Sequence, residues 1–171
     1  METWDAITAR RNVRDYADRP IGAEELDRIL EAARRAPSSM NEQPWDFVVL
    51  TERARLVELS GVWRYGVHVA TAAAAIAFVA TPTDDPDARD SIQFDMGQAA
   101  MSAMLAAADL GIGSCHSAVG DQDLARRVLD LPNDRECVLI LSLGYPADRP
   151  LRPIAKPSRK PFDEVVHRDR W

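Results

Sequence analysis

Apolar and polar positions along the chain switch repeatedly between helical and strand-like periods. Leu26, Ile29, Leu30 and Ala33 recur at helical spacing and predict an amphipathic helix over 23–35, acidic early and arginine-rich late. Trp4, Ala6 and Ile7 mark a shorter helix over 2–11. Asp46 to Leu50 reads as a strand, and Thr51 is placed to cap a helix running to about Ser60-Gly61. The alanine run 72–75 reads as packed helix, and Ala75 to Ala80 as a buried strand. Thr81 to Asp90, with four aspartates and two prolines, predicts an exposed loop.

The longest predicted helix covers Asp95 to Leu110. Asp95 and Gln98 match an N-terminal capping box, and Gly111 supplies the stop. Alanine, methionine and leucine lie on nearly all of its faces, so it is either a central core helix or one covered by a second subunit. A short strand follows through Ser117, then a helix capped by Asp121 and ending at Leu129. Glu136 to Leu143 is the strongest strand in the chain, continuous enough to be central. The tail from Pro150 is proline-rich and basic (Arg152, Lys156, Arg159, Lys160), with a short helix over 162–166 and a terminal Trp171.

A length of 171 residues fits one domain with a sizeable core. The net charge of −6 argues against nucleic acid or an acidic membrane surface as a partner. Cys115 and Cys137 lack the spacing of a zinc or redox motif, and the N-terminus lacks the layout of a signal peptide. A cytoplasmic protein with free buried thiols and no resident metal is the expectation.

Candidate chemistry is concentrated in two places. The loop Pro37-Ser38-Ser39-Met40-Asn41-Glu42-Gln43-Pro44-Trp45 joins helix to strand, with two hydroxyls and two carboxamides between fixed prolines. It is suited to the edge of a planar heterocycle, and equally to a polar connector. Arg10, Arg11 and Arg14 are three guanidiniums within five residues, fit either for a phosphate or for a solvated helix end. Gly111-Ile112-Gly113 follows a helix and precedes a strand, the reverse of a dinucleotide fingerprint. A docked basic tail could complete an anion site begun by Arg10 to Arg14.

Four blocks stand in order: RRNVRDY at 10–16, APSSMNEQPWDFVVL at 36–50, DMGQAAMSAMLAAADLGIGSC at 95–115, and LILSLGYP…SRKPFDEVVHRDRW at 139–171. Together they closely resemble the FMN-dependent nitroreductase family over nearly the whole chain. The resemblance implies an α+β fold with a mixed, mainly antiparallel sheet flanked by helices. It implies a homodimer with the long helix at the interface, the tail from about 150 docked on the partner subunit, and FMN between the subunits. Arg10, Arg11, Asn12 and Arg14 would hold the phosphate or ribityl chain, and Arg159 would close the phosphate site. Pro37, Ser38, Ser39, Met40, Asn41 and Gln43 would line the ring from the partner, and Ile112, Gly113 and Ser114 would pass close to it.

The implied activity is ping-pong transfer of hydride from NADH or NADPH, through FMN, to a small nitroaromatic or quinone-type acceptor. Flavin sequestration without turnover, or a specialised chemistry such as dehalogenation or flavin fragmentation, is the alternative. No acid–base pair is needed, and His68, His116 and His167 lie in unrelated sequence contexts. Asn12 stands where the family usually has serine, and the 81–92 region is too short for the inserted helices that cover the pocket in larger members. A more open or differently roofed site is expected.

Overall fold

The computed structural model describes residues 1–171. A four-stranded antiparallel sheet is ordered β1-β2-β4-β3, from β1 (Asp46–Leu50), β2 (Ala74–Ala80), β3 (Gly113–Ser117) and β4 (Glu136–Gly144). Its edge is extended by one parallel bridge, Asn12 to Ser114. The helices are α1 (Thr3–Ala9), α2 (Ala23–Arg34), α3 (Arg53–Ser60), α4 (Val67–Ala70), α5 (Pro86–Asp109), α6 (Gln122–Leu129) and α7 (Phe162–Val165). No helix is long and apolar enough to cross a membrane.

Strand β2 shows why the sheet lies between two helical layers. Every one of its residues is buried, and successive side chains point to opposite faces. Ala74, Ile76, Phe78 and Ala80 pack with Ile29 and Ala33 of α2 and with Met96, Ala99, Ala103 and Met104 of α5. Ala75, Ala77 and Val79 pack on the other side with Leu56 and Leu59 of α3 and Ala125, Val128 and Leu129 of α6. The small residues of β2 let both layers approach the sheet closely. The predicted helical run at 72–75 is therefore overturned: Ala74 and Ala75 already belong to β2, paired with Leu143 and Ser142 of β4.

Helix α5 is longer than its pattern predicts. The supposed acidic loop contains its first turn, with Pro86 inside the helix start and the Asp85 carboxylate accepting from the Asp87 N–H at 3.0 Å. Asp95 is thus mid-helix and buried, not a cap. Gly111, at φ 74°, ends the turn as expected. Helix α1 stops at Ala9, and α3 begins after Glu52 rather than on a Thr51 cap.

One stripe of α5 stays outside the core. Phe94 is 67% exposed and Met101 45%, and Gly97 between them meets no other atom where a Cβ would stand. The tail behaves similarly: Ala155 to Trp171 are all exposed, and Trp171 is 99% so. Their hydrogen bonds are local, as in the Val166 N–H to the Phe162 carbonyl.

Candidate functional site

Residues 10–17 leave α1 and run along the edge of β3, which determines where the arginines go. The Val13 N–H donates to the Ser114 carbonyl at 2.9 Å, and the Ala17 N–H to Tyr145 at 2.8 Å. Between these bonds, Val13 and Tyr16 sit over Gly113 and Gly144, which face each other across β3 and β4. A Cβ on Gly113 would lie 2.6 Å from Val13 Cγ2, and one on Gly144 2.7 Å from Tyr16 Cδ1. Both glycines are bare so that this segment can lie flat on the sheet.

With Val13 and Tyr16 held inward, Asn12, Arg14 and Asp15 face outward. Arg10 and Asn12, joined by a 3.3 Å hydrogen bond, line a cavity of about 280 Å³ with Gly97, Ala100, Met101, Met104 and His116. Arg14 lines a second, of about 340 Å³, with Trp63, Tyr65, His68, His116 and Ser117. His116 is common to both. His68 and His116, remote and unrelated in sequence, are thus brought to one cavity. Arg11 is directed elsewhere: its guanidinium pairs with Asp148 at 2.6 Å and donates to the Arg149 carbonyl at 2.9 Å.

A buried polar chain supports the second cavity. Ser142 Oγ donates to the Cys115 carbonyl at 3.0 Å and lies 2.7 Å from the Tyr16 hydroxyl and 2.8 Å from His68 Nδ1. In the tautomer that donates from Nδ1 to Ser142, Nε2 of the neutral ring is an acceptor. Nε2 makes no hydrogen bond within the chain and opens on the cavity that His68 lines. Burial lowers the His68 pKa, with Arg14 and His116 adding to the effect. Burial also raises the thiol pKa of Cys115, and that of Cys137 to about 12, which disfavours either thiolate.

The 37–44 loop is held from α5. Asp95 accepts from the Ser39 N–H at 3.0 Å and from the Ser39 hydroxyl at 3.4 Å, and Gln98 Nε2 donates to the same carboxylate at 3.3 Å. Ser38 Oγ accepts from the Gln43 N–H at 3.0 Å. Met40, Asn41 and Gln43 adopt positive φ, a costly conformation for residues with a Cβ, on an exposed loop. Pro37 lines a groove of about 590 Å³ with Phe94, Gly97, Gln98 and Met101, beside the Arg10 cavity along α5.

Several expected site residues are not brought to these cavities within one chain. Ser38, Ser39, Met40, Asn41 and Gln43 stand on the loop, away from the arginines. Ile112 is packed in the core, and Ser114 is covered by its bonds to residues 12 and 13. The bare face of Gly113 is filled by Val13, not left open. Arg159 donates only to the neighbouring Ser158 carbonyl. Conversely, Asp95, whose spacing marks it only as a helix cap, holds the loop instead, and no local signal distinguishes His68 and His116.

The nitroreductase family model matches residues 7–65 and 62–145. The chain belongs to the nitroreductase family. A relative from Archaeoglobus fulgidus, provisionally named NADH dehydrogenase/NAD(P)H nitroreductase, is 35% identical over 99% of both chains. The FMN reductase [NAD(P)H] of Bacillus subtilis is 26% identical over 99% of this chain and 74% of its own length. Among solved structures, an FMN-dependent nitroreductase from Clostridium difficile R20291 is 27% identical with a TM-score of 0.83, covering 97% of this chain and 98% of that one. The nitroreductase fold accounts for the antiparallel sheet, its flanking helices and the long α5.

Proposed function

We propose that this nitroreductase-family chain is an FMN-dependent oxidoreductase that takes hydride from NADH or NADPH and reduces a small nitroaromatic or quinone-type acceptor. The observation that carries the proposal is the pair of arginine-flanked cavities meeting at His116 beside the open Gly97 of α5. Their donor set fits FMN: Arg10, Arg14 and the Asn12 carboxamide suit a phosphate dianion and a polar chain. An unpartnered His68 Nε2 beside Arg14 offers an acceptor next to donors, the pattern that a pyrimidine edge requires. The names of the Bacillus and Clostridium relatives support the same cofactor.

When bound, FMN supplies the hydride acceptor and donor chemistry at its N5. The chain's contribution is binding, orientation and charge. Arg10 and Arg14 supply positive charge in an otherwise acidic protein. Ser142 holds the His68 ring through Nδ1, and burial favours its neutral form. Trp63 and Tyr65 provide the aromatic wall of the Arg14 cavity. Arg11, tied to Asp148, is left out of this set.

The same proposal includes a homodimer of single-domain subunits. Its support is the exposed apolar stripe of α5, the stretch 155–171 that makes no hydrogen bond to its own body, and the 37–44 loop presented outward. In the dimer, Ser38, Ser39, Met40, Asn41 and Gln43 of one subunit would complete the site of the other, and Arg159 would approach the phosphate. A reducing cytoplasmic setting accords with two buried, unpaired thiols.

The decisive measurement is the visible spectrum of the purified protein before and after anaerobic NADH or NADPH. A flavin band that bleaches, then returns on adding a quinone or nitroaromatic, is the expected result. Flavin that binds but stays oxidised would favour sequestration. No flavin after reconstitution with excess FMN would overturn the proposal.

A further inference from the structure

A second group of arginines lies at the root of the tail and takes no part in the proposed flavin site. Arg11, Arg149 and Arg152, with Pro150 and Pro153, line an open-sided cavity of about 440 Å³. The segment is fastened along its length. The Ala147 N–H donates to the Asp15 carbonyl at 3.0 Å, and the Ile154 N–H to the Thr8 carbonyl at 3.1 Å. Leu151 is buried against Ala9, Val13 and Tyr16. Two prolines fix φ between these anchors, so Arg149 and Arg152 rise from a held backbone rather than from a loose tail.

The charges of this cavity do not balance. Arg11, its side chain 18% exposed, forms the floor and pairs with Asp148 at 2.6 Å. Arg149 has only a 3.9 Å approach to the other oxygen of that carboxylate. Arg152 makes no hydrogen bond or ion pair. Two guanidiniums therefore share one carboxylate and the third has none, in a chain whose net charge is −6. Planar forks converging on one concave surface suit an oxyanion with several acceptor oxygens.

We propose that this cavity binds a phosphoryl group, separately from the phosphate of the flavin, with Arg149 and Arg152 as its donors and Arg11 as its positively charged floor. The group could belong to a free phosphate or to the ribose phosphate of a nucleotide. Calorimetric titration of FMN-reconstituted protein at low salt, with pyrophosphate and with 2′,5′-ADP, tests this. One site per chain is expected, weakened at least about tenfold in R149A and in R152A, partly retained in R152K, with flavin content unchanged. Tighter binding of 2′,5′-ADP would assign the site to a nucleotide, and tighter binding of pyrophosphate to free phosphate. Absence of binding by both probes, or equal affinity in the R149A/R152A double variant, would overturn the proposal. The titration is repeated on flavin-free protein, so failure of the flavin assignment leaves its outcome readable.

Discussion

Adding a single methyl at Gly113 tests how residues 10–17 are held. A Cβ there would lie 2.6, 2.7 and 2.9 Å from three side-chain atoms of Val13, which is only 1% exposed and has no free space to enter. The backbone at Gly113 does not require positive φ, so crowding is the whole structural effect, set against a small unfolded-state gain of about 0.4–1 kcal/mol for alanine over glycine. Overpacking of this kind costs about 1–3 kcal/mol, which lowers the melting temperature by roughly 2–12 °C in a chain of this size. Val13→Ala alone deletes two buried methyl groups and costs roughly 2 kcal/mol. Alanine at 13 keeps the Cβ that lies 2.7 Å from the new methyl, so the double variant relieves the two Cγ contacts but not this one, and should recover only part of the G113A penalty. A favourable coupling, smaller than the full G113A penalty, should therefore appear in thermal or urea melts at one fixed protein concentration. A G113A protein as stable as the parent, or penalties that simply add, would refute the account of the bare glycine.

Two further perturbations probe the parts that flank this contact. Asp95→Ala removes the acceptor for both Ser39 donors, at a cost of about 1–3 kcal/mol, and amide exchange at Ser39 should accelerate, less so in D95N; unchanged exchange would mean the loop holds itself. His68 has a lowered pKa, so below the ordinary value of 6.5 the unfolded chain binds a proton that the folded chain resists. Stability is then full above about pH 6.5 and falls as the pH drops towards the folded value, whereas His68→Asn, which keeps a donor near Nδ1, should flatten this component of the pH dependence; parallel curves would dismiss it.

What the sequence reveals depends on how far apart the cooperating residues are. Strands β2 and β4 are continuous apolar runs that a central strand requires, and both were legible, as was the α2 stripe. The beginning of α5 was not. Aspartates and a proline mark a loop by composition, yet both are favoured in the first turn of a helix, and only packing decides between the two. Asp95 and Gln98 carry capping-box spacing inside a helix, where the carboxylate instead faces a loop 56 residues away in sequence. The arginine cluster could be found by inspection, but its division between two sides of the chain could not. That division depends on Val13 and Tyr16 fitting against glycines a hundred or more residues distant. His68 reaches Ser142 across 74 residues, and nothing local to either announces the pair.

The fastening of residues 8–17 has a consequence for the order in which the chain acquires its parts. Every long-range backbone bond made by this segment ends at or beyond Ser114: Val13 on Ser114, Ala17 on Tyr145, Asp15 on Ala147 and Thr8 on Ile154. During synthesis the arginines therefore emerge early and wait, without a surface to lie on, until β3 and β4 have left the ribosome. Nascent chains halted before residue 140 should leave residues 10–17 open to protease even if α2, β1 and β2 have begun to associate. Assembly of the arginine-bearing surface then becomes a late checkpoint on a full-length chain, and prematurely ended products lack it.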